Sequence, residues 1–107
     1  MSLMYRCRNF PKSGVILLPV RWRRAFGFSC GEHVDVVKEN DDIIIKKADY
    51  RTFDHKRYIS EKGGVNIPKE IRSQLDLNQE DEYCLYVEPD KKQFVVALET
   101  EQDERSH

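Results

Sequence analysis

The chain has 107 residues and a formal net charge of −1, with 18 Lys or Arg against 19 Asp or Glu. That length permits one ordinary domain or two very small ones. The near-zero charge excludes a protein that is drawn to nucleic acid by its overall electrostatic field. Because residues 1–50 carry a net charge of +3 and residues 51–107 one of −4, the first half has room for a basic face.

The first half of the chain predicts two strands, a helix and a hairpin. Pro19 favours a helix start, because proline lacks an N–H that the first helical position does not need. Gly27 suits the end of that helix. Alternation of apolar and polar residues indicates the strands. The predicted elements are strands over 4–10 and 15–18, a helix over 20–26, and hairpin strands over 32–38 and 43–47.

The second half predicts the same order of elements again. Pro68 suits the start of a helix, and Glu70 lies in its first turn, where the helix dipole favours an anion. Ile71 and Leu75 are four residues apart and share one helix face, whereas Arg72 points away from it. The predicted elements are strands over 55–60 and 65–67, a helix over 69–75, and hairpin strands over 83–88 and 93–98.

An offset of 49 residues superposes the two halves. The identities fall on glycine, proline and arginine, where backbone geometry or charge restricts the choice, and the core positions keep apolar character, as packing requires. We infer an internal duplication. The matched pairs include Arg8/Arg57, Gly14/Gly63, Leu18/Ile67, Pro19/Pro68, Trp22/Ile71, Arg23/Arg72 and Phe26/Leu75. The predicted units are repeats over 4–48 and 55–99, a polar connector over 49–54, and a disordered acidic tail over 100–107.

Each repeat is close to the size below which a lone core is rarely sufficient, so two repeats must share one core. The stretch from Lys62 to Glu82 meets nearly every position of the motif K-G-(R/x)-V-(T/x)-I-P-K-E-(I/L)-R-x-x-L-x-(I/L)-x-x-(G/x)-D, and thereby resembles the AbrB/SpoVT/MazE swapped-hairpin family. The first copy, from Gly14 to Val34, matches more loosely but keeps the glycine, the proline and an arginine pair. Together the two copies cover roughly residues 5–99.

The resemblance implies a mainly β fold with short helices. Two β-β-α-β-β units would interleave their strands into one closed swapped-hairpin, or double-split, barrel. In most members of the family the two units come from two chains. Here both lie in one chain, so the simplest expectation is an intrachain pseudo-dimer. The alternative is that each repeat pairs with its twin in another protomer, which would give a larger homo-oligomer; the short connector does not decide.

The resemblance further implies a transcriptional regulator that binds double-stranded DNA through a basic face of the barrel. A guanidinium suits that task because its fork reaches two phosphate oxygens, or guanine O6 and N7, at once. The structural alternative pairs the helix arginines with acidic turns, Arg72 with Asp81 and Arg23 with Glu32. Carried over residue by residue, the resemblance nominates Arg8, Arg23, Arg24, Arg57 and Arg72 for DNA, with Lys12, Lys62 and Lys69 as auxiliary phosphate contacts.

A protein-interaction module is the second functional hypothesis. In antitoxins of the family a barrel binds DNA and an acidic tail wraps a toxin. The tail after Leu98 is acidic, but it is short and lacks hydrophobic anchors, which a toxin clamp would need. A member that has lost DNA binding and serves assembly is the remaining alternative.

The other polar residues predict no catalysis. His33 and His55 are isolated, and no Ser-His-Asp, paired-carboxylate or phosphate-loop pattern occurs, so we expect neither an enzyme nor a metal or cofactor. Cys7, Cys30 and Cys84 are odd in number and lack C-x-x-C spacing, which is typical of free thiols in a reducing cytoplasm. No apolar run is long enough to cross a membrane, and no signal peptide is evident.

Overall fold

The computed structural model describes residues 2–98 of the chain. The order β-β-α-β-β occurs twice in it, and the acidic tail expected over 100–107 lies outside the described residues. The elements are β1 (Leu3–Asn9), β2 (Val15–Leu17), α1 (Val20–Phe26), β3 (His33–Glu39), β4 (Asp42–Lys47), β5 (His55–Tyr58), β6 (Gly64–Asn66), α2 (Lys69–Gln74), β7 (Glu82–Glu88) and β8 (Gln93–Leu98).

The fold is mainly β with two short helices, as the sequence predicted. Six strands form one antiparallel sheet in the order β1-β7-β8-β4-β3-β5, and β2 pairs with β6 in a second sheet. The described strands therefore form an open sheet rather than the expected closed barrel. Because β2 and β6 have only three residues each and pair with one another, β1 and β5 are left at the edges of the large sheet.

The two repeats exchange strands within one chain. The first strand of each repeat pairs with the third strand of the other, β1 with β7 and β5 with β3. The fourth strands, β4 and β8, pair with each other and join the two hairpins. Within a repeat only the hairpin strands pair, β3 with β4 and β7 with β8, so the six-stranded sheet requires both repeats.

The apolar core is likewise common to both repeats. Phe26 and Ile71, the predicted inward residues of the two helices, are both buried in it, while Trp22 is only partly buried and packs against Phe26 with ring centroids 5.8 Å apart. The largest fully buried side chains come from both halves of the chain: Ile16, Val34, Val36, Ile43, Ile45, Ile59, Val65, Ile67, Leu85, Val87, Phe94 and Val96.

The helix ends follow the local chemistry closely. Pro19 and Pro68 stand at the N-cap, one position before the first helical residue. Gly27 ends α1 in the left-handed conformation, with φ 76°, as its freedom from a β-carbon allows. Its counterpart in the second repeat is Asp76, which adopts φ 53°, so α2 ends without a glycine.

The expectation of three free thiols is wrong. Cys7 on β1 and Cys84 on β7 are directly opposite each other, with Cα atoms 3.9 Å apart, and form a disulfide across a sequence separation of 77 residues. Cys30 is exposed and free. The sequence could not reveal the pairing because cross-strand register brings the two cysteines together, and register depends on which strands become neighbours.

Candidate nucleic-acid interface

The groove beside edge strand β1 is the most basic concavity of the candidate interface. Arg6 and Arg8 are two residues apart on β1, so their side chains share one face of the strand. The register shift between Met4 and Arg6 is a local irregularity of the kind that redirects side chains near binding sites. The groove has a volume of about 280 Å3. The residues that line it are Arg6, Arg8, Asn9, Pro11, Ser13, Val15, Leu17 and Tyr83.

Among the residues that the structure describes, no carboxylate is one of the side chains that line this groove, although Asn9, which does line it, donates from Nδ2 to Oε1 of Glu80 at 3.2 Å. Tyr83 lies opposite Arg8. Burial raises the pKa of the Tyr83 phenol, and the nearby charges of Arg8 and Arg6 offset part of that rise. The phenol therefore stays neutral at physiological pH, and the groove keeps the positive charge of both arginines.

Sequence reasoning nominated Arg8 but missed Arg6. Its position two residues before Arg8 on an alternating strand was the available signal, because such spacing places both side chains on one face. Arg6 was passed over because the nominated first-strand arginines were those matched between the two repeats. The counterpart of Arg6 in the second repeat is His55, so Arg6 belongs to no matched arginine pair.

The helix arginines lie against the glycine turns of the opposite repeat. A β-carbon placed on Gly63 would be 2.6 Å from Nε of Arg23, and one placed on Gly14 would be 3.1 Å from Nη1 of Arg72. Both glycines have positive φ, 85° and 76° respectively. Each turn therefore requires glycine for two reasons: its backbone has a positive φ, and a guanidinium lies where a β-carbon would be.

Arg23 and Arg72 are held by these contacts rather than by the acidic turns. Arg23 donates from Nε to the carbonyl oxygen of Leu18 at 3.1 Å, and Arg72 has a buried Nε with no hydrogen-bond partner among the described residues. In the described part of the chain, neither Arg23–Glu32 nor Arg72–Asp81 forms an ion pair. The expected partners were therefore wrong.

The remaining nominated residues have different surroundings. Arg24 is exposed and lines an open cleft with Arg23, Cys30 and Glu61. On the equivalent side of α2, Lys69 and Arg72 line a cleft that also contains Asp76. Each of these clefts thus includes a carboxylate beside its basic groups. Lys12, Lys62 and Lys69 are exposed.

Arg57 does not reproduce the setting of its counterpart Arg8. Its Nη1 donates to the carbonyl oxygen of Lys56 at 2.9 Å, and it lies opposite Val34 on β3. The structure therefore groups Arg8 with Arg6, Arg23 with Arg24, and Arg72 with Lys69, and it gives the two matched first-strand arginines unlike neighbours.

An aromatic cluster at the opposite edge of the sheet was not expected. The ring of His33 on β3 stacks against Tyr58 on β5, with centroids 4.1 Å apart and planes inclined by 30°. Nδ1 of His33 lies 2.8 Å from the hydroxyl of Tyr50 in the connector. His33 is half-buried rather than solvent-facing, because two distant tyrosines converge on it.

The part of the chain that the structure describes contains no group of three or more His, Cys, Asp or Glu side chains arranged to hold a metal ion. Within the same residues, no helix has the length and apolar character needed to cross a membrane.

Comparison with known proteins gives a likeness of fold. Neither a family model nor a curated protein matches the chain. Among solved structures, the chain is similar to the solution structure of PHS018 from Pyrococcus horikoshii, with a TM-score of 0.50 and 18% sequence identity. The match covers 90% of this chain and 88% of that one, so the shared architecture extends over nearly all of both.

Proposed function

We propose that this protein is a cytoplasmic transcriptional regulator of the AbrB/SpoVT kind, which binds double-stranded DNA and catalyses no reaction. Two features support the proposal. The motif between Lys62 and Glu82 matches that family closely, and the exchange of first strands between the two repeats is the connectivity that an intrachain swapped-hairpin pseudo-dimer requires. In this reading the chain supplies both units of the DNA-binding body.

The observation that carries the proposal is the pair of arginines in the β1 groove. Arg6 and Arg8 line it together, and within residues 2–98 no carboxylate lines it with them. Neither arginine forms an ion pair within the described residues. Two guanidiniums on one face of a strand are suited to phosphate oxygens, because charge-assisted hydrogen bonds to phosphate are strong and often bidentate.

The proposed mechanism divides the nominated residues by role. Arg6 and Arg8 neutralise phosphates and release the counterions condensed on the duplex. Arg24 and Lys12, both exposed, add auxiliary phosphate contacts. Arg23 and Arg72 act as supports that hold the glycine turns of the opposite repeat. Leu17, which is 45% exposed beside the arginines, gives the groove an apolar wall.

A titration with a duplex of random sequence tests the proposal. Because the net charge is −1, the titration belongs at low salt, about 50 mM, where phosphate contacts contribute most. Arg6→Ala and Arg8→Ala should each weaken binding to all duplexes alike and flatten the slope of log K against log salt by roughly one unit. The matched control is Arg51→Ala, which removes an exposed arginine already paired with Asp49 at 3.0 Å.

Two results would reject the regulator. One is the absence of duplex binding at low salt by the parent protein. The other is a double variant, with Arg6 and Arg8 both changed to alanine, that binds as tightly as the parent. Stability measured on the same samples separates lost contacts from lost folding, and Arg23→Ala should lose stability before it loses affinity.

A protein-interaction module is the second candidate, and the β5 edge favours it. β5 is at the end of the sheet, and such an edge can accept a strand from another protein. Large rings stand exposed nearby, with Tyr58 66%, Tyr50 70% and Phe53 fully accessible to solvent. The partner would be a toxin-like protein or a second copy of this chain. Sedimentation of the isolated protein across concentrations distinguishes self-association from dependence on another chain.

A further inference from the structure

The disulfide between Cys7 and Cys84 joins β7 to β1, the strand that carries Arg6 and Arg8 into the candidate DNA groove, and its two cysteines differ in their exposure to solvent. Cys7 is exposed on the edge strand, whereas Cys84 on β7 is only 4% exposed. A reductant can therefore reach one end of the bond and not the other. The same strand carries Arg6 and Arg8 on either side of Cys7.

Apart from the disulfide, β1 is held from Leu3 to Asn9 by its antiparallel pairing with β7, and little of it is buried. Six of its seven residues are exposed, and Arg6 alone is half-buried, so the strand contributes little to the apolar core. Among the described strands, β7 alone pairs with it. Segments with few buried contacts open at low free-energy cost, and the disulfide is the one covalent link that opposes such opening.

The inner end of β1 is anchored independently of the disulfide. The next residue, Phe10, is buried, and its N–H donates to the carbonyl oxygen of Asp81 at 2.6 Å. The N–H of Glu80 donates back to the carbonyl oxygen of Phe10 at 3.0 Å. We therefore expect that breaking the disulfide frees β1 up to Asn9, while the chain from Phe10 onward keeps its fold.

We propose that the Cys7–Cys84 disulfide is a thiol-responsive latch on the β1 groove. Reduction releases β1 from β7 and withdraws Arg6 and Arg8 from the wall that Val15 and Leu17 provide; oxidation restores the groove. The release of the strand rests on the contacts of β1 alone. Its consequence for DNA affinity rests on the proposed function.

The exchange is a two-electron reaction with a dithiol. A thiolate of the dithiol attacks the exposed sulfur of Cys7, the S–S bond breaks, and Cys84 leaves as a thiolate that takes up a proton. The second thiol of the dithiol then attacks the mixed disulfide and frees Cys7. The dithiol is oxidised to a disulfide, and the protein gains two thiols.

The other edge of the sheet supplies an internal control. The position on β5 that corresponds to Cys7 is Lys56, and the one on β3 that corresponds to Cys84 is Asp35. Those two residues face each other in the same way and form an ion pair at 2.9 Å. A thiol reagent cannot open it, so only one of the two equivalent edges should respond to reduction.

The first measurement counts thiols in the full chain. Alkylation of the folded, air-oxidised protein should label one cysteine, Cys30, and alkylation after denaturation with dithiothreitol should label three. Labelling of all three without reductant would overturn the proposal, because no latch would then exist.

The second measurement follows amide hydrogen exchange with and without dithiothreitol. The amides of β1 should lose protection on the order of tenfold or more upon reduction, whereas those of β5 should not change. Cys7→Ser should show the reduced behaviour permanently, and Cys30→Ser should behave as the parent. Equal protection of β1 in the oxidised and reduced protein would overturn the proposal.

Duplex affinity, measured on the same samples, tests the consequence. Reduction and Cys7→Ser should both weaken binding, and neither should act further on a variant that already lacks Arg6 and Arg8. Release of β1 with unchanged affinity would overturn the coupling to DNA and the placement of DNA at this groove, while the hydrogen-exchange result would still support the latch. Loss of affinity upon reduction without release of β1 would refute the latch.

Discussion

The two edges of the sheet occupy equivalent places and are held by different chemistry. At the β1 edge a disulfide joins Cys7 to Cys84, and at the β5 edge an ion pair joins Lys56 to Asp35 in the same register. The two halves of the chain thus share the path of the backbone but not the bond that secures it. Two side chains that face each other across neighbouring strands stabilise the sheet when their contact is favourable, and several kinds of contact are favourable.

The two bonds act on folding in different ways. A disulfide stabilises chiefly by restricting the unfolded chain, and its effect grows with the length of the closed loop. The ion pair acts in the folded state, where Asp35 is fully buried and also accepts a hydrogen bond from the N–H of Asp49 at 3.0 Å. Its net contribution is modest, because burial costs both charges their hydration, but removing one partner leaves the other charge uncompensated.

The largest expected effect therefore comes from the β5 edge. Asp35→Ala should lower the free energy of unfolding by about 3–5 kcal/mol, because it leaves the Lys56 ammonium without its counter-charge and the N–H of Asp49 without its acceptor. Urea denaturation measures the change. Asp41→Ala, at an exposed turn position, is the matched control and should change little. A loss at Asp35 no greater than at Asp41 would mean that the ion pair does not secure β5.

The β1 edge should be next in size. Cys7→Ser should cost about 2–4 kcal/mol, since it removes the constraint on a long loop of the unfolded chain. The comparison is made with Cys30→Ser, which removes a free and exposed thiol. If addition of dithiothreitol destabilises the parent and the Cys30→Ser variant but not Cys7→Ser, the disulfide is the cause. Equal sensitivity of all three proteins would contradict this assignment.

The glycine turns extend the comparison to the helices. Gly63→Ala should cost about 1–3 kcal/mol from its positive φ and more than Gly14→Ala, because Arg23 lies nearer to its turn than Arg72 does to the other. Double-mutant cycles that add Arg23→Ala or Arg72→Ala isolate the contact term. We expect a coupling of about 0.5–3 kcal/mol for the first pair and a smaller one for the second. A larger coupling for Gly14 with Arg72 than for Gly63 with Arg23 would contradict the explanation by arginine packing.

The smallest effect concerns the connector that leads into β5. Hydrogen bonds from the Arg51 side chain hold the pKa of Asp49 at about 2, below its ordinary 3.8. Since the folded pKa is the lower one, this contribution to stability is complete above pH 3.8 and is lost as the pH falls toward 2. Carboxyl NMR should show the Asp49 pKa rising toward its ordinary value in Arg51→Ala. Arg57→Ala, a control without contact to Asp49, should leave it unchanged.

The local features were predictable because they depend on neighbours in the chain. Helix α1 has the predicted bounds, and α2 ends one residue earlier than predicted. Gly27 takes the left-handed conformation expected of it. The order of elements followed from alternation, proline and glycine, whose effects reach only a few residues along the backbone.

The candidate site was only partly predictable. The nomination of Arg8 placed one residue in the β1 groove, but Arg6 was missed, and Arg23 was assigned the wrong structural partner. A side chain's neighbours across strands depend on which strands pair and in what register. Arg23 is 40 residues away from the turn of Gly63 that it covers, and no sequence spacing indicates that contact.

The sequence by itself determined the two β-β-α-β-β units, the positions of their helices and the need for a shared core, because these depend on local geometry and on the amount of apolar surface in each unit. Tertiary structure alone decided that β1 pairs with β7, that Cys7 meets Cys84 while Lys56 meets Asp35, and that the large sheet stays open. Those outcomes depend on contacts between residues far apart in the chain, where many pairings satisfy the same apolar pattern and only the packing of the whole molecule selects one.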